Sequence, residues 1–244
     1  MLGTKLPHRV QHSPNFGERK NGKTVNCLIL HYTGMKSAQA ACDWLCNVAS
    51  QVSCHYLIDE KGAITQMVDE TMRAWHAGAG SWGDEDDINS TSIGVEIQNL
   101  GHPLYPDFPR EQMLAVVALC KDITSRHHIQ PRNILAHSDV APGRKIDPGE
   151  KFDWALLHSF AIGHCVEPAP LRGGAFLQMG DNGDAVMALQ AMLKLYGFGL
   201  AVDGIFGPRT KVVVEAFQRH FRQARVDGIA DQSTVATLHR LLKS

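Results

Sequence analysis

No Cys-x-x-Cys pair occurs in the chain, although it holds six cysteines: Cys27, Cys42, Cys46, Cys54, Cys120 and Cys165. That absence argues against a zinc ribbon. Cys42 and Cys46 stand one helical turn apart beside Leu45 and read as buried free thiols rather than ligands, which suits a reducing compartment. No run approaches the roughly 20 apolar residues that cross a bilayer, so no membrane span is expected. The opening Met-Leu-Gly-Thr-Lys-Leu-Pro-His-Arg-Val has no apolar core of the kind an export signal uses. The expected location is therefore the cytoplasm, with a non-Sec or lysis route to the cell wall as the alternative. Neither sign of charge dominates, since 24 Lys and Arg oppose 25 Asp and Glu, and no electrostatic footprint for nucleic acid is visible. A nucleophile elbow, a Ser-His-Asp order and a Gly-rich phosphate loop are all missing.

What is present is a chain of 244 residues, 44% hydrophobic, with 13 histidines. This is enough for a packed core in one large domain or two smaller ones. The most informative stretch runs from Ala136 to Asp147 and places His137, Lys145 and Asp147 on one segment. Pro142-Gly143 breaks regular structure there, so a loop is expected, and loops commonly present reactive groups. His and Asp both suit a borderline divalent metal, but a third ligand must come from elsewhere.

In chain order, residues 1–24 read as an irregular arm. Val25 to Gly34 is a near-continuous apolar run, hence a central strand buried on both faces. It closes with His31, on the face of Cys27 and Ile29, either as a core histidine bonded to backbone or as a ligand at the sheet edge. Ser37 caps a predicted helix through Val48. Cys54 to Ile58 and Ala63 to Val68 flank Asp59-Glu60-Lys61-Gly62 as a hairpin, with His55 structural. Asp84 to Asp87 is a solvated acidic loop rather than a calcium site. Thr91 to Asn99 forms a second strand, with Ile93, Val95 and Ile97 on one face and Glu96 on the other. Glu96 marks either a wet face or a carboxylate held in a pocket for acid–base work. Glu111 to His127 is an amphipathic helix; adjacent His127 and His128 are exposed or capping. Ile134 to Ala136 is a short strand, and a helix covers about Phe152 to Ile162.

Two prolines and two glycines between Val166 and Gly174 mark a boundary. We expect a first unit at 1–165, a linker at 166–174 and a second unit at 175–244. In the last, Asp184 to Tyr196 has helical spacing. Asp203-Gly204-Ile205 and Asp227-Gly228-Ile229 then repeat a turn with an apolar plug, which suggests a compact three-helix module.

Taken together, His31, His137 and Asp147 make a catalytic-type set for one Zn2+ with a fourth position left for water. Zinc lowers the pKa of that water to roughly 7. Glu96 could move its proton to a leaving amine, and Lys145 could steady a developing oxyanion. These are the parts of metal-assisted amide hydrolysis.

Four motifs add a resemblance: Ile29-Leu30-His31-Tyr32-Thr33, Trp75-His76-Ala77-Gly78, Asn89 to Glu96, and His137-Ser138-Asp139-Val140-Ala141-Pro142-Gly143-Arg144-Lys145-Ile146-Asp147-Pro148-Gly149. With them residues 25–155 resemble the amidase-2 family of zinc N-acetylmuramoyl-L-alanine amidases, in its AmpD/AmiD branch. The resemblance implies an α/β fold, a mixed β-sheet flanked by helices. It implies zinc on His31, His137 and Asp147, Glu96 as acid/base, Lys145 as electrostatic partner, and His76 and Tyr32 at the substrate groove. Gly183-Asp184-Ala185-Val186, Leu189-Gln190, Asp203 to Gly207 and Phe217-Gln218 resemble an all-α three-helix peptidoglycan-binding domain. Ala230-Asp231 departs from the Phe206-Gly207 of the first repeat. The expected partners are peptidoglycan or muropeptides, cut between the lactyl group of N-acetylmuramic acid and L-alanine, by a monomer. A phage-type endolysin and a non-catalytic peptidoglycan-recognition protein are the alternatives.

Overall fold

In the computed structural model, residues 3–244 are described, so Met1 and Leu2, the start of the expected arm and of the 1–165 unit, lie outside the described residues. The strands are β1 (Arg9–Val10), β2 (Phe16–Glu18), β3 (Cys27–Tyr32), β4 (Tyr56–Ile58), β5 (Ile64–Gln66), β6 (Met72–Ala74), β7 (Ser92–Ile97) and β8 (Ile134–Ala136). One mixed sheet has the order β1-β5-β4-β7-β3-β8, and β2 pairs with β6 in a separate antiparallel ribbon. The central strands β4, β7, β3 and β8 run parallel, so their C-terminal ends share one edge of the sheet. In open α/β sheets that edge is where ligands are held. The expected hairpin is the antiparallel pair β4–β5, closed over Asp59 to Ala63.

The helices are α1 (Ala38–Leu45), α2 (Ile88–Thr91), α3 (Arg110–His127), α4 (His137–Val140), α5 (Trp154–Ser159), α6 (Asp184–Tyr196), α7 (Pro208–Phe221) and α8 (Gln232–Lys243). Ser37 caps α1 by accepting from the Ala40 amide at 3.2 Å. The helix stops at Leu45, short of Val48, because Asn47 starts a separate 3-10 turn by accepting from the Ala49 amide. Along α3, Met113, Val116, Val117, Cys120 and Ile123 are buried at helical spacing and cover one face of the sheet.

Alternation along β3 divides the interior. Leu28 and Leu30 point into a cluster with α3 and α5, while Cys27 and Ile29 point into a cluster with α6, α7 and α8. The second cluster joins Trp82, Ile88, Val140 and Ala141 to Leu189, Val213, Phe217 and Leu238 without a break. The C-terminal helices are thus packed on the sheet through a common core. Each fully buried aliphatic or aromatic side chain there contributes about 1.5–3 kcal/mol. The stretch before them lies along α8: Ala169 donates its amide to Thr237 Oγ1 and accepts from Ser233 Oγ.

The repeat seen in the sequence is a repeat of hydrogen bonds. Gln190 donates to Asp203 Oδ1, the Ile205 carbonyl and Thr210 Oγ1, and accepts from the amides of Asp203 and Gly204. Gln218 makes the same five bonds to Asp227, Gly228, Ile229 and Thr234. A buried amide with all its partners pins one turn to one helix, twice.

Four further expectations are corrected. The N-terminal arm is not irregular throughout: β1 and β2 are exposed strands made by backbone pairing, which leaves no hydropathy signal. The segment after Ala136 is not wholly a loop, since His137–Val140 closes one helical turn before Pro142-Gly143. Cys42 and Cys46 are free but only half-buried. Of the histidine pair, His128 is the α3 cap with φ 52°, but His127 bonds the buried Glu70 carboxylate at 2.7 Å.

Candidate active site

The register of the sheet assembles the site. His31 lies opposite Glu96 on the adjacent parallel strand, so both project from the same face. Ala136, the last residue of β8, lies opposite Leu30, which puts His137 just past the end of its strand beside His31. The chain then turns through α4, and the Ser138 amide donates to the Asp147 carbonyl at 3.0 Å, folding Asp147 back onto His137. Three atoms meet: the two Nδ1 atoms of His31 and His137 are 2.9 Å apart, and Asp147 Oδ2 lies 3.1 Å from the first and 2.9 Å from the second. All three residues are buried, and they form a ligand set with every donor atom in reach of one point.

Whether these atoms suit a cation depends on where the imidazole protons sit, and the surroundings decide it. Ser92 Oγ is 2.6 Å from the Ile88 carbonyl, which can only accept, so the hydroxyl donates there. The same oxygen therefore accepts from His76 Nε2 at 3.1 Å. His76 Nδ1 is left as an acceptor, and it lies 3.0 Å from His31 Nε2, which must donate. Burial pushes the pKa of His31 down to about 4, helped by the neighbouring His137, so the ring carries one proton at neutral pH. That proton is on Nε2, and Nδ1 is a lone pair. His137 Nε2 faces the Ala77 carbonyl at 2.9 Å and donates to it, which in the neutral ring leaves Nδ1 as a lone pair as well. With their outer nitrogens donating, both neutral imidazoles turn an Nδ1 lone pair toward the Asp147 carboxylate oxygen. A cation is what satisfies such a trio, and the outer hydrogen bonds orient the ligands as metal sites require.

His76 sits flat on β7. A Cβ on Gly94 would lie 2.4 Å from its Cγ, so the glycine is what admits the ring. His76 is bonded at both nitrogens and mostly shielded, so it backs His31 while still lining the cavity over the trio.

A cavity of about 370 Å³ opens over the trio and is lined by Tyr32, Trp44, Glu96, Arg144, Lys145 and Asp147 among others. Trp44 and Val52 give it an apolar, half-exposed wall. Glu96 Oε2 is out of solvent with no hydrogen-bond partner among the described residues. Burial raises its pKa well above the ordinary value, the nearby Asp147 adds to this, and Lys145 opposes it. Lys145 makes no ion pair among the described residues and leaves its charge to the cavity. Tyr32 is held at the rim, its hydroxyl 3.3 Å from His102 Nδ1. His55 is structural: Nδ1 accepts from the Gly94 amide and Nε2 donates to the Met72 carbonyl.

All seven candidate residues therefore meet at one end of the sheet. Sequence reading missed Ser92, the Ala77 carbonyl and the reason for Gly94. The adjacency of Gly94 to Glu96 was visible, but nothing in it named His76 as the ring to be admitted.

Comparison with known proteins agrees with this geometry. Residues 21–150 match the N-acetylmuramoyl-L-alanine amidase family, and residues 182–238 match the putative peptidoglycan binding domain. The chain is 35% identical to the N-acetylmuramoyl-L-alanine amidase AmiD of Escherichia coli K12, over 90% of this chain and 83% of that protein. It is 29% identical to the 1,6-anhydro-N-acetylmuramyl-L-alanine amidase AmpD of Haemophilus influenzae, over 58% of this chain and 85% of that protein. Among solved structures, E. coli AmiD in complex with the substrate anhydro-N-acetylmuramic acid-L-Ala-D-gamma-Glu-L-Lys superposes with a TM-score of 0.77 at 32% identity, covering 94% of this chain and 97% of that one. AmpDh3 of Pseudomonas aeruginosa superposes with a TM-score of 0.74 at 30% identity, covering 100% and 98%. On the sheet, the His-His-Asp trio and these likenesses, the chain belongs to the N-acetylmuramoyl-L-alanine amidase family and carries a peptidoglycan-binding domain at its C-terminal end.

Proposed function

We propose that this chain is a zinc amidase that hydrolyses the bond between the lactyl group of N-acetylmuramic acid and L-alanine in peptidoglycan fragments. The observation that carries the reading is the convergence of one donor atom each from His31, His137 and Asp147 beneath an open cavity. These three residues would hold one zinc ion. A zinc ion there supplies Lewis-acid polarisation of a carbonyl and acidifies water near neutral pH.

The chain's own groups do the rest. Glu96 is shielded and unpartnered at Oε2 beside the trio, so its carboxylate is placed to take a proton from water, and its raised pKa favours the protonated form that then passes it to the leaving amine. Lys145 offers an unpaired positive charge to the oxygen that becomes negative in the transition state. Tyr32 lines the cavity and is assigned to substrate contact. His76 is assigned to positioning His31.

The substrate would be a soluble anhydro-muropeptide, in line with the AmiD complex and the AmpD name. Residues 1–165 are proposed as the hydrolytic unit, 166–174 as connector and 175–244 as the part that holds the glycan, in a fixed orientation given by the common core.

The test is Glu96→Ala. Release of peptide from a defined anhydro-muropeptide, followed by mass spectrometry, should vanish while zinc content stays at one per chain. Full turnover by the variant would reject the role of Glu96. Intact sacculi offered beside the soluble substrate decide between the recycling reading and an endolysin-like one.

A further inference from the structure

The C-terminal helices do more than sit beside the site. α7 packs directly on α4, the single turn that begins with His137. At the centre of that contact, His220 Nδ1 donates to Asp139 Oδ2 at 2.6 Å, and both side chains are sealed from solvent, at 1% and 0% exposure. The same carboxylate oxygen accepts the Ala136 amide at 2.8 Å, so one atom holds both the entry to the turn and the helix outside it. The His220 ring cannot swing away. It is stacked on Trp154 with centroids 3.6 Å apart and on Phe221 at 3.8 Å. Two further residues of α7 reach the next part of the segment: Arg209 Nη1 donates to the Pro142 carbonyl at 3.0 Å, and Val212 lies against Gly143. The segment so braced, Ala136 to Asp147, carries two of the three donor atoms and Lys145.

We propose that His220 is a positioning residue for the metal centre. Through Asp139, the peptidoglycan-binding module sets the geometry of the turn that presents His137, so the module is part of the metal site's framework and not only a glycan anchor. This inference rests on the zinc reading above. A short turn with a proline and a glycine inside its return loop has little intrinsic rigidity, and a ligand set binds tightly only if its outer partners hold it in place.

The experiment uses the full 244-residue chain and two variants chosen to separate packing from hydrogen bonding. His220→Phe keeps the stacked ring and deletes the Nδ1 donor. His220→Asn gives up the stack and keeps a donor where Nδ1 stands. Zinc affinity is measured by competition with a chromophoric chelator. Hydrogen exchange across residues 136–147 is measured on the zinc-free proteins, and thermal unfolding gives each variant's stability. The expected result is an inverted order. His220→Phe binds zinc about 10–100-fold more weakly, the span that outer partners of metal ligands carry, and exchanges faster over 136–147. His220→Asn stays within about threefold of the parent in both readouts even if its thermal midpoint is lower. A purely structural role predicts the opposite, with affinity following stability, and that outcome overturns the inference. So does parental affinity and exchange in His220→Phe. If the parent chain takes up no zinc, the reading of the metal centre falls, and the exchange comparison still decides whether His220 braces the turn.

Discussion

Replacing Ser92 with Ala tests the proton assignment on which the metal site depends. In the parent chain Ser92 Oγ donates to the Ile88 carbonyl at 2.6 Å and accepts from His76 Nε2 at 3.1 Å. The alanine removes the acceptor, and His76 Nε2–H becomes a buried donor without a partner. An orphaned buried donor costs about 1–3 kcal/mol. The zinc-free protein avoids that cost by moving the His76 proton to Nδ1, where His31 Nε2 can accept it. His31 must then carry its own proton on Nδ1, aimed at His137 Nδ1 and Asp147 Oδ2. A metal ligand cannot keep that proton, so binding zinc means returning both rings to the parental tautomers and restoring the orphan. The penalty is the same 1–3 kcal/mol, which at about 1.4 kcal/mol per tenfold weakens zinc by about 5- to 150-fold. Chelator competition gives the affinity, and nitrogen chemical shifts of labelled histidine give the tautomers directly. Unchanged affinity within about twofold, or a His31 that is protonated at Nε2 in the variant, would refute the relay.

Other outcomes follow from the same geometry. Gly94→Ala sets a methyl within 2.4 Å of the His76 ring and should cost both stability and zinc affinity, read by thermal unfolding and metal analysis. Chelation should abolish hydrolysis and lower the unfolding midpoint; re-addition of zinc at 100 times its Kd should return about 2.7 kcal/mol, whereas an equal midpoint with and without zinc would count against the site. Acid should destabilise the fold in two windows. His55 is held down to about 3, by burial first and by the neighbouring Arg19, so below its unfolded value near 6.5 the unfolded chain takes up a proton that the native one refuses until about pH 3. Burial would raise Glu70, but bonds from Arg126, His127 and Tyr56 outweigh it and hold it at about 2, so its stabilisation is complete above about 4.5 and lost as pH falls through 2. Each proton carries about 1.4 kcal/mol per pH unit, and Glu70→Gln should flatten the lower window in urea titrations across pH. Finally, the 1–165 fragment uncovers Trp82, Ile88, Val140 and Ala141, and its unfolding midpoint should fall well below that of the full chain; equal midpoints would refute the common core.

Much of this protein was legible from its residues. The unbroken apolar run into His31 and the alternation around Glu96 located two strand ends. The density of chemistry between His137 and Asp147 located the third part of the site, and the two Asp-Gly-Ile turns announced the duplicated helical module. Those features are local, and local burial leaves a period in the sequence. The rest was decided by tertiary structure. His31 stands 106 residues from His137 and 116 from Asp147, and their meeting depends on β8 lying beside β3, which no period reports. The strands β1 and β2 leave no trace because exposed backbone pairing asks little of side chains. Ser92 reads as an ordinary strand residue until His76 arrives from another loop to meet it, and His220 reads as a helix residue until Asp139 is placed across from it. Hydrogen-bond partners far apart in sequence carry no mutual signature along the chain; only the folded arrangement that lowers both their energies brings them together.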